Sequence, residues 1–173
     1  NLSPDNVLES IHTAKKHNIN IKGIMTVGLF GQPCDMDSIT SIAKEHKLWI
    51  LDDAAQSFGA QYKNIPVGSF GEVCATSFFP AKPLGCYGDG GALLTNNKKI
   101  FDIAYSCHLH GMSKNKYKYE RIGMNGRMDS IQAAVLIEKL SIFKKELIQR
   151  QKIAENYKRL FNDLKTPIVL PKI

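Results

Sequence analysis

Residues 23–53 read GIMTVGLFGQPCDMDSITSIAKEHKLWILDD and contain a complete strand–helix–strand pattern. The apolar run from Gly23 to Phe30, closed by Gly31-Gln32-Pro33, predicts a buried strand. Leu48 to Leu51 predicts a second buried strand, which ends in Asp52-Asp53. Because a helical pattern joins the two, the order predicts a right-handed βαβ unit and therefore a parallel sheet.

The helix between these strands has its own start signal, since Asp35 is placed to cap it. Its apolar residues Met36, Ile39, Ile42 and Ala43 share one face. An earlier helix is predicted from Ser3-Pro4-Asp5, in which the serine hydroxyl is the expected cap.

The rest of the chain extends the α/β pattern. Two more strands are predicted at residues 73–79 and 90–95, and helical segments at residues 98–107, 128–143 and 144–164. In the segment 128–143, the residues expected to face inward are Ile131, Ala134, Val135 and Leu140. We therefore predict an α/β fold with a mainly parallel sheet flanked by helices and ending in long helices.

Composition excludes several classes of protein. Of 173 residues only 20 are Pro or Gly, and 23% are charged, which is typical of a globular chain and not of a disordered one. No apolar run approaches the ~20 residues of a membrane helix, so no membrane partner is expected. Because Cys34, Cys74, Cys86 and Cys107 have no metal-ligand spacing, we expect reduced, mostly buried thiols of a cytosolic protein and no metal.

The net charge of +7 is unevenly distributed: residues 1–96 carry −2 and residues 97–173 carry +9. Such an excess is compatible with a nucleic acid, an anionic metabolite or a solvated helical face, and charge alone does not decide between them. Aromatic residues do not interleave with the basic ones as on a nucleic-acid platform, so no nucleic-acid partner is expected.

Three features follow the predicted strands, where ligands bind in open α/β sheets. Asp52 and Asp53 either cap the next segment, or one of them is a partly buried carboxylate that requires a cationic partner. Lys82 is either a surface lysine or an amine that forms Schiff bases with carbonyl compounds. Ser77, five residues earlier, is suited to bind a phosphate.

The third feature is the segment Gly85 to Gly91, where four glycines in seven residues allow a backbone to approach a ligand closely. Its spacing matches neither the dinucleotide fingerprint nor the P-loop, and neither motif occurs elsewhere in the chain. This argues against a Rossmann dehydrogenase and a P-loop enzyme.

Taken in order, the motifs DAAQ (53–56), SFFPAKPLGCYGDGG (77–91), His110-Gly111 and GMNGRMD (123–129) resemble the DegT/DnrJ/EryC1/StrS family of sugar aminotransferases. These are fold-type-I enzymes that depend on pyridoxal phosphate (PLP). Within the family, the motifs most resemble enzymes that aminate UDP-2-acetamido-2-deoxy-3-oxo-glucuronate for bacterial surface polysaccharide. The resemblance implies the large PLP-binding domain of that fold.

The resemblance also implies roles for individual residues. Lys82 matches the lysine that attaches to PLP and moves the proton between cofactor and substrate carbons. Asp53 matches the carboxylate that pairs with the pyridine nitrogen and keeps the ring a good electron sink. Gln56 matches a residue near the ring face, and Ser77 a phosphate ligand. Dehydratase relatives carry histidine in place of Lys82, so lysine favours amino transfer.

Asn125 matches a residue that reaches the phosphate of the neighbouring subunit's cofactor, which implies a homodimer. Arg127 suits a bidentate grip on a uronate carboxylate, with a helix-entry arginine paired to Asp129 or solvent as the alternative. The basic loop of Lys114, Lys116, Lys118 and Arg121 is compatible with either a UDP diphosphate or solvent.

The resemblance carries further expectations about the extent of the chain, its substrates and its location. The chain is expected to be a fragment, with residues 1–143 the central part of the large domain and residues 144–173 a helix leading toward a small C-terminal domain. The amino donor is expected to be glutamate, the acceptor a nucleotide sugar and the location cytoplasmic. The alternatives are an inactive or merely PLP-binding fragment and an enzyme that aminates a 4-keto sugar nucleotide.

Overall fold

The computed structural model describes residues 1–115, 117–164 and 167–171. Within these residues the helices and strands are, in chain order, α1 (Pro4–Lys16), β1 (Gly23–Val27), α2 (Met36–His46), β2 (Trp49–Asp53), β3 (Gln61–Tyr62), β4 (Ile65–Pro66), β5 (Val73–Ser77), β6 (Gly91–Leu94), α3 (Lys98–His108) and α4 (Ser130–Asp163). No described helix combines the length and apolar character that crossing a membrane requires.

The main sheet has four strands in the order β1-β2-β5-β6. β1 and β2 are parallel, as are β2 and β5, whereas β6 runs antiparallel to β5. The predicted α/β class and mainly parallel sheet are therefore confirmed. Parallel pairing brings the carboxyl ends of β1, β2 and β5 to one edge of the sheet, which we call the carboxyl edge.

Helices α1 and α2 cover one face of the sheet. Alternate residues of the parallel strands, including Ile24, Ile50 and Cys74, point into that face and are buried. Asp35 caps α2 as predicted, because its carboxylate accepts from the backbone N–H of Ser38 at 3.3 Å. Ser3 precedes α1 but makes no side-chain cap hydrogen bond, so that part of the prediction is wrong.

The first strand is shorter than predicted, since β1 ends at Val27 and Leu29–Gly31 forms a 3₁₀ turn. Phe30 has φ = 57°, a left-handed conformation that no strand contains. Its backbone N–H donates to Oε1 of Gln56 at 3.0 Å, and its ring is 87% exposed. The apolar run therefore leaves the sheet at the carboxyl edge, and its last aromatic ring is not part of the core.

α4 is one continuous helix of 34 residues, as the adjoining segments 128–143 and 144–164 predict, but its buried side differs. Leu136 and Phe143 are buried and Val135 is half-buried, whereas the other residues expected to face inward, Ile131, Ala134 and Leu140, are exposed. The reason is the position of the surface that α4 covers. It packs on Phe58, Phe78, Leu84 and Cys86, which follow β2 and β5.

The predicted strands at residues 73–79 and 90–95 are confirmed with shorter bounds, as is the helix at 98–107. The hairpin of β3 and β4 was not predicted, although Lys63 and Asn64 form its turn with φ of 48° and 67°. All four cysteines are free. Cys34, Cys74 and Cys86 are buried and Cys107 is half-buried, in agreement with the prediction.

Candidate functional site

Two predicted site residues end neighbouring strands at the carboxyl edge. Asp53 is the last residue of β2, and Ser77 is the last residue of β5. Asp53 pairs in register with Ala75, so Ser77 lies one strand over and two residues further along. The parallel register thus brings together a carboxylate and a hydroxyl that are 24 positions apart in the sequence.

Asp53 keeps part of its hydrogen-bonding capacity unused. Its side chain is half-buried, and Oδ1 accepts from the backbone N–H of Ala55 at 2.9 Å. Within the described chain Oδ2 has no hydrogen-bond partner. The carbonyl of Asp53 accepts from the N–H of Gly28 at 3.1 Å, which fixes the backbone from the side of β1. One carboxylate oxygen is therefore available to a ligand.

Asp52 points to the opposite face and has a different role. It is 4% exposed, and it accepts from Thr26 Oγ1 at 2.9 Å and from the N–H of Gly68 at 3.1 Å. Burial raises the pKa of this carboxyl, and the hydrogen bonds from Thr26 and Gly68 oppose the shift. The expectation of a cationic partner is wrong here, because two neutral donors satisfy the carboxylate.

Ser77 and Lys82 both carry a donor without an acceptor. Ser77 Oγ accepts from the N–H of Phe79 at 3.2 Å, so its own hydroxyl hydrogen remains to donate. The backbone N–H of Lys82 donates to the carbonyl of Phe79 at 2.9 Å and closes a turn. Lys82 is half-buried, and its ammonium makes no hydrogen bond or ion pair with any described residue. Each group is therefore free to bind an anionic or carbonyl ligand.

The segment of residues 85–90, called the glycine loop below, folds back on the end of β5. The N–H of Cys86 donates to the carbonyl of Phe78, and the N–H of Phe78 donates to the carbonyl of Gly90, each at 2.7 Å. A Cβ on Gly85 would lie 2.6 Å from the carbonyl oxygen of Pro80. Glycine is thus required at residue 85 for the backbone to approach this closely.

Gln56 connects this edge to the end of β1. Its Oε1 accepts the N–H of Phe30, the residue that leaves the strand in a left-handed conformation. Its amide N–H groups donate to no residue in the described ranges. Asp53, Gln56 and Ser77 therefore lie along one edge, with Lys82 in the turn that follows.

Asn125 and Arg127 form a separate, exposed pair before α4. Asn125 Oδ1 accepts from Nε of Arg127 at 2.9 Å. The N–H of Gly126 donates to the carbonyl of His108 at 2.9 Å, which ties this segment to α3. No hydrogen bond among the described residues joins the pair to Asp53. Among the described residues Arg127 forms no ion pair with Asp129, so that part of the alternative is wrong, whereas its exposure agrees with an arginine that faces solvent.

The basic loop is only partly described. Lys116 lies outside the described residues. Arg121 Nη1 donates to Ser106 Oγ at 3.3 Å and lies 3.7 Å from Glu120 Oε2, so this arginine is tied to α3. In the chain as described, no group of three or more His, Cys, Asp or Glu residues is arranged to hold a metal ion.

Two polar residues of α4, Gln132 and Lys139, contact the glycine loop but are not among the candidates that the sequence suggests. Polar residues of an amphipathic helix are expected to face solvent, so no local signal separates these two from the others. They are seven residues apart, which is two helical turns, so they lie on one side of α4. That this side faces the glycine loop becomes clear only once the buried side of α4 is known.

Comparisons with known proteins place the chain in a family. The profile of the DegT/DnrJ/EryC1/StrS aminotransferase family matches residues 1–172. UDP-2-acetamido-2-deoxy-3-oxo-D-glucuronate aminotransferase of Pseudomonas aeruginosa is 46% identical over 136 residues, which are 79% of this chain and 38% of that protein. The chain therefore spans well under half the length of this relative.

Solved structures agree with the sequence comparison. A DegT DnrJ EryC1 StrS aminotransferase from Brucella abortus superposes with a TM-score of 0.92 at 43% identity, covering 98% of this chain and 46% of that one. NtdA from Bacillus subtilis with bound cofactor PMP superposes with a TM-score of 0.76 at 31% identity, covering 83% and 33%. The chain belongs to the DegT/DnrJ/EryC1/StrS aminotransferase family.

Proposed function

We propose that the chain binds PLP at the carboxyl edge and that the whole protein transfers an amino group to a keto-sugar nucleotide. The observation that carries the proposal is the set of unused polar groups at that edge. Asp53 offers a carboxylate oxygen, Ser77 a hydroxyl hydrogen and Lys82 an ammonium, each without a partner in the described chain. PLP presents a matching ring nitrogen, phosphate and aldehyde.

The residues of this edge have complementary tasks. An ionised Asp53 would keep the ring nitrogen of PLP protonated, and the hydroxyl of Ser77 would donate to the phosphate. Gln56 would hold the edge in shape through Phe30 and lie near the ring. When bound, PLP supplies the electron sink that stabilises a carbanion beside the reacting nitrogen. Lys82 Nζ would bond to the aldehyde carbon of PLP with loss of water. The amino group of the donor would then displace it, and the freed amine would accept a proton and return it.

Substrate recognition is assigned to the pair before α4. Asn125 Oδ1 holds Nε of Arg127, which leaves the two terminal nitrogens of the guanidinium for a carboxylate. A uronate would be gripped there in a bidentate manner. In the homodimer that we propose, Asn125 would reach the cofactor phosphate of the neighbouring subunit, as the family resemblance implies.

The substrate we favour is UDP-2-acetamido-2-deoxy-3-oxo-glucuronate with glutamate as the amino donor, because Arg127 matches a uronate carboxylate and the Pseudomonas relative is named for this substrate. The product would serve surface polysaccharide such as the O-antigen of lipopolysaccharide, and the reaction would take place in the cytoplasm. There are two competing possibilities: the chain only binds PLP, or the protein aminates a 4-keto sugar nucleotide.

Cofactor binding is tested by mixing the purified chain with PLP and recording the visible absorbance band of a lysine-linked cofactor. Borohydride trapping followed by peptide mass spectrometry should place the label on Lys82. The Lys82→Ala variant should lose the band, whereas Lys99→Ala, which changes an exposed lysine of α3, should keep it. Absence of the band in the unsubstituted chain would refute PLP binding.

Amino transfer is tested separately, with glutamate and three acceptors. These are the UDP-3-keto-uronate, the same sugar without its carboxylate, and a 4-keto sugar nucleotide. Preferred turnover of the uronate supports the proposal, and preferred turnover of the 4-keto compound supports the competing enzyme. A lysine-linked band without turnover of any acceptor supports a chain that only binds PLP.

A further inference from the structure

Two side chains of α4 hold the backbone of the glycine loop. Gln132 Oε1 accepts from the backbone N–H of Tyr87 at 2.8 Å. The Lys139 ammonium donates to the carbonyl of Gly85 and lies 5.9 Å from the centre of the Tyr87 ring. Because seven residues make two helical turns, Gln132 and Lys139 project from the same side of α4.

The contact between the loop and α4 is close as well as polar. A Cβ on Gly88 would lie 2.9 Å from Nε2 of Gln132, so a side chain there would displace the glutamine. Leu84 and Cys86 are 4% and 0% exposed, and they pack in one cluster with Leu136 and Phe143 of α4. The apolar residues attach the loop to the helix, and the two polar residues fix its backbone.

This contact lies directly after the lysine that is proposed to attach to PLP. Lys82 lies three residues before Gly85, at the start of the segment that α4 holds. Asp53 and Ser77 are fixed by the sheet, as the last residues of β2 and β5. A shift of the glycine loop along α4 would therefore move Lys82 relative to these two residues. Glycines have the largest backbone freedom, so this loop needs external contacts to keep one shape.

We propose that Gln132 and Lys139 are positioning residues that set the placement of Lys82 relative to Asp53 and Ser77 at the carboxyl edge. This rests on the proposed function, in which Lys82 attaches to PLP. Neither residue touches the cofactor; each acts through the backbone of the glycine loop. The polar contacts position the loop because hydrogen bonds to a backbone N–H and a carbonyl are strong only over a narrow range of directions.

The first test needs no cofactor. Hydrogen exchange of the Tyr87 amide and maleimide labelling of Cys86 are measured in Gln132→Met and Lys139→Met, which keep the length of each side chain. We expect both rates to rise about tenfold, and to stay unchanged in Lys145→Met, which alters an exposed lysine of α4. Equal rates in the Met variants and the unsubstituted chain would overturn the proposal.

The second test follows attachment of PLP to Lys82 by borohydride trapping. We expect Gln132→Met and Lys139→Met to slow attachment at least fivefold and to move the pH midpoint of the lysine-linked absorbance band. Gln132→Glu and Lys139→Arg keep an acceptor and a donor, so they should restore both values. Melting temperatures of all variants identify any that simply fail to fold.

The outcomes separate this proposal from the function on which it rests. Normal attachment and an unmoved pH midpoint in folded Met variants would overturn the positioning role and leave PLP binding intact. No attachment in the unsubstituted chain would overturn PLP binding and the positioning role together. Slow attachment that the Glu and Arg variants restore would support both.

Discussion

A Cβ atom on Gly28 would lie 2.1 Å from Oγ of Ser57, so the missing side chain of one residue makes the space for the other. Gly28 follows β1, and its N–H donates to the carbonyl of Asp53. Ser57 is 1% exposed, and its Oγ has no hydrogen-bond partner in the described part of the chain. The backbone that hydrogen-bonds Asp53 is therefore tightly packed against Ser57, with no room for a side chain at residue 28.

Gly28→Ala should destabilise the chain by about 1–3 kcal/mol through overpacking. The φ of Gly28 is −77°, which alanine adopts without strain, so the cost comes from the contact with Ser57. Urea unfolding measures the loss in free energy. Adding Ser57→Gly should recover part of that loss in a double-mutant cycle. Strictly additive effects of the two substitutions would show that they do not share this space.

Asp52 should make stability depend on pH. Because burial raises the pKa of Asp52 above its ordinary value of 3.8, protonation favours the folded chain. Its contribution to the free energy of unfolding is greatest below pH 3.8 and is lost as pH rises through the folded-state pKa. Asp52→Asn removes this dependence, so the unsubstituted chain should gain stability relative to the variant on going from pH 7 to pH 4.

Urea unfolding at a series of pH values tests this sign. Asp163→Asn, at an exposed position near the end of α4, is the matched control, against which the pH response of Asp52→Asn is compared. If the unsubstituted chain instead lost stability relative to Asp52→Asn as the pH fell, the assignment of a raised pKa would be wrong.

The sequence predicted the carboxyl edge because parallel pairing follows from local patterns. Apolar runs and their helical spacer place Asp53 and Ser77 at strand ends, and the family motifs name Lys82. Such patterns depend on residues close in the chain, or on a general rule about parallel sheets. The positions of these residues were therefore accessible before any contact was known.

What the sequence did not predict depends on contacts distant in the chain. Phe30 leaves the strand where its backbone N–H donates to Gln56 Oε1. Asp52 needs no cationic partner because Thr26 Oγ1 and the Gly68 N–H donate to its carboxylate. The buried side of α4 depends on which loops lie beneath it, so Leu136 and not Leu140 faces inward. An amphipathic pattern gives the period of a helix, but a wide apolar surface leaves its rotation open.

Cys107 should react first of the four cysteines under native conditions. Burial raises the pKa of the Cys74 thiol to about 11, so at pH 8 only about one molecule in a thousand carries the reactive thiolate. Cys34 and Cys86 are 3% and 0% exposed, and reagents must open the fold to reach them. Cys107 is half-buried, so it is more accessible to a reagent than the other three cysteines.

Brief iodoacetamide treatment followed by peptide mass spectrometry measures the order of labelling. Cys107→Ser should abolish the fast phase, and urea should make the remaining thiols equally reactive. Rapid modification of Cys74 in the folded chain would contradict its burial between β2 and β6.

Arg127→Lys should weaken recognition of a uronate while leaving reaction with glutamate unchanged. Asn125 holds Nε of Arg127, so the terminal nitrogens are free to bind both oxygens of one carboxylate. Lysine keeps the charge but loses this fork, and a loss of about 1.4 kcal/mol corresponds to a tenfold higher KM. Steady-state kinetics with the UDP-3-keto-uronate give KM, and absorbance changes with glutamate alone follow the other half of the reaction.

Arg150→Lys, at an exposed position of α4, is the control and should change neither this KM nor the reaction with glutamate. A sugar nucleotide that lacks the carboxylate should show the same KM with Arg127→Lys as with the unsubstituted protein; an equal rise for both sugars would mean that Arg127 binds some other part of the substrate.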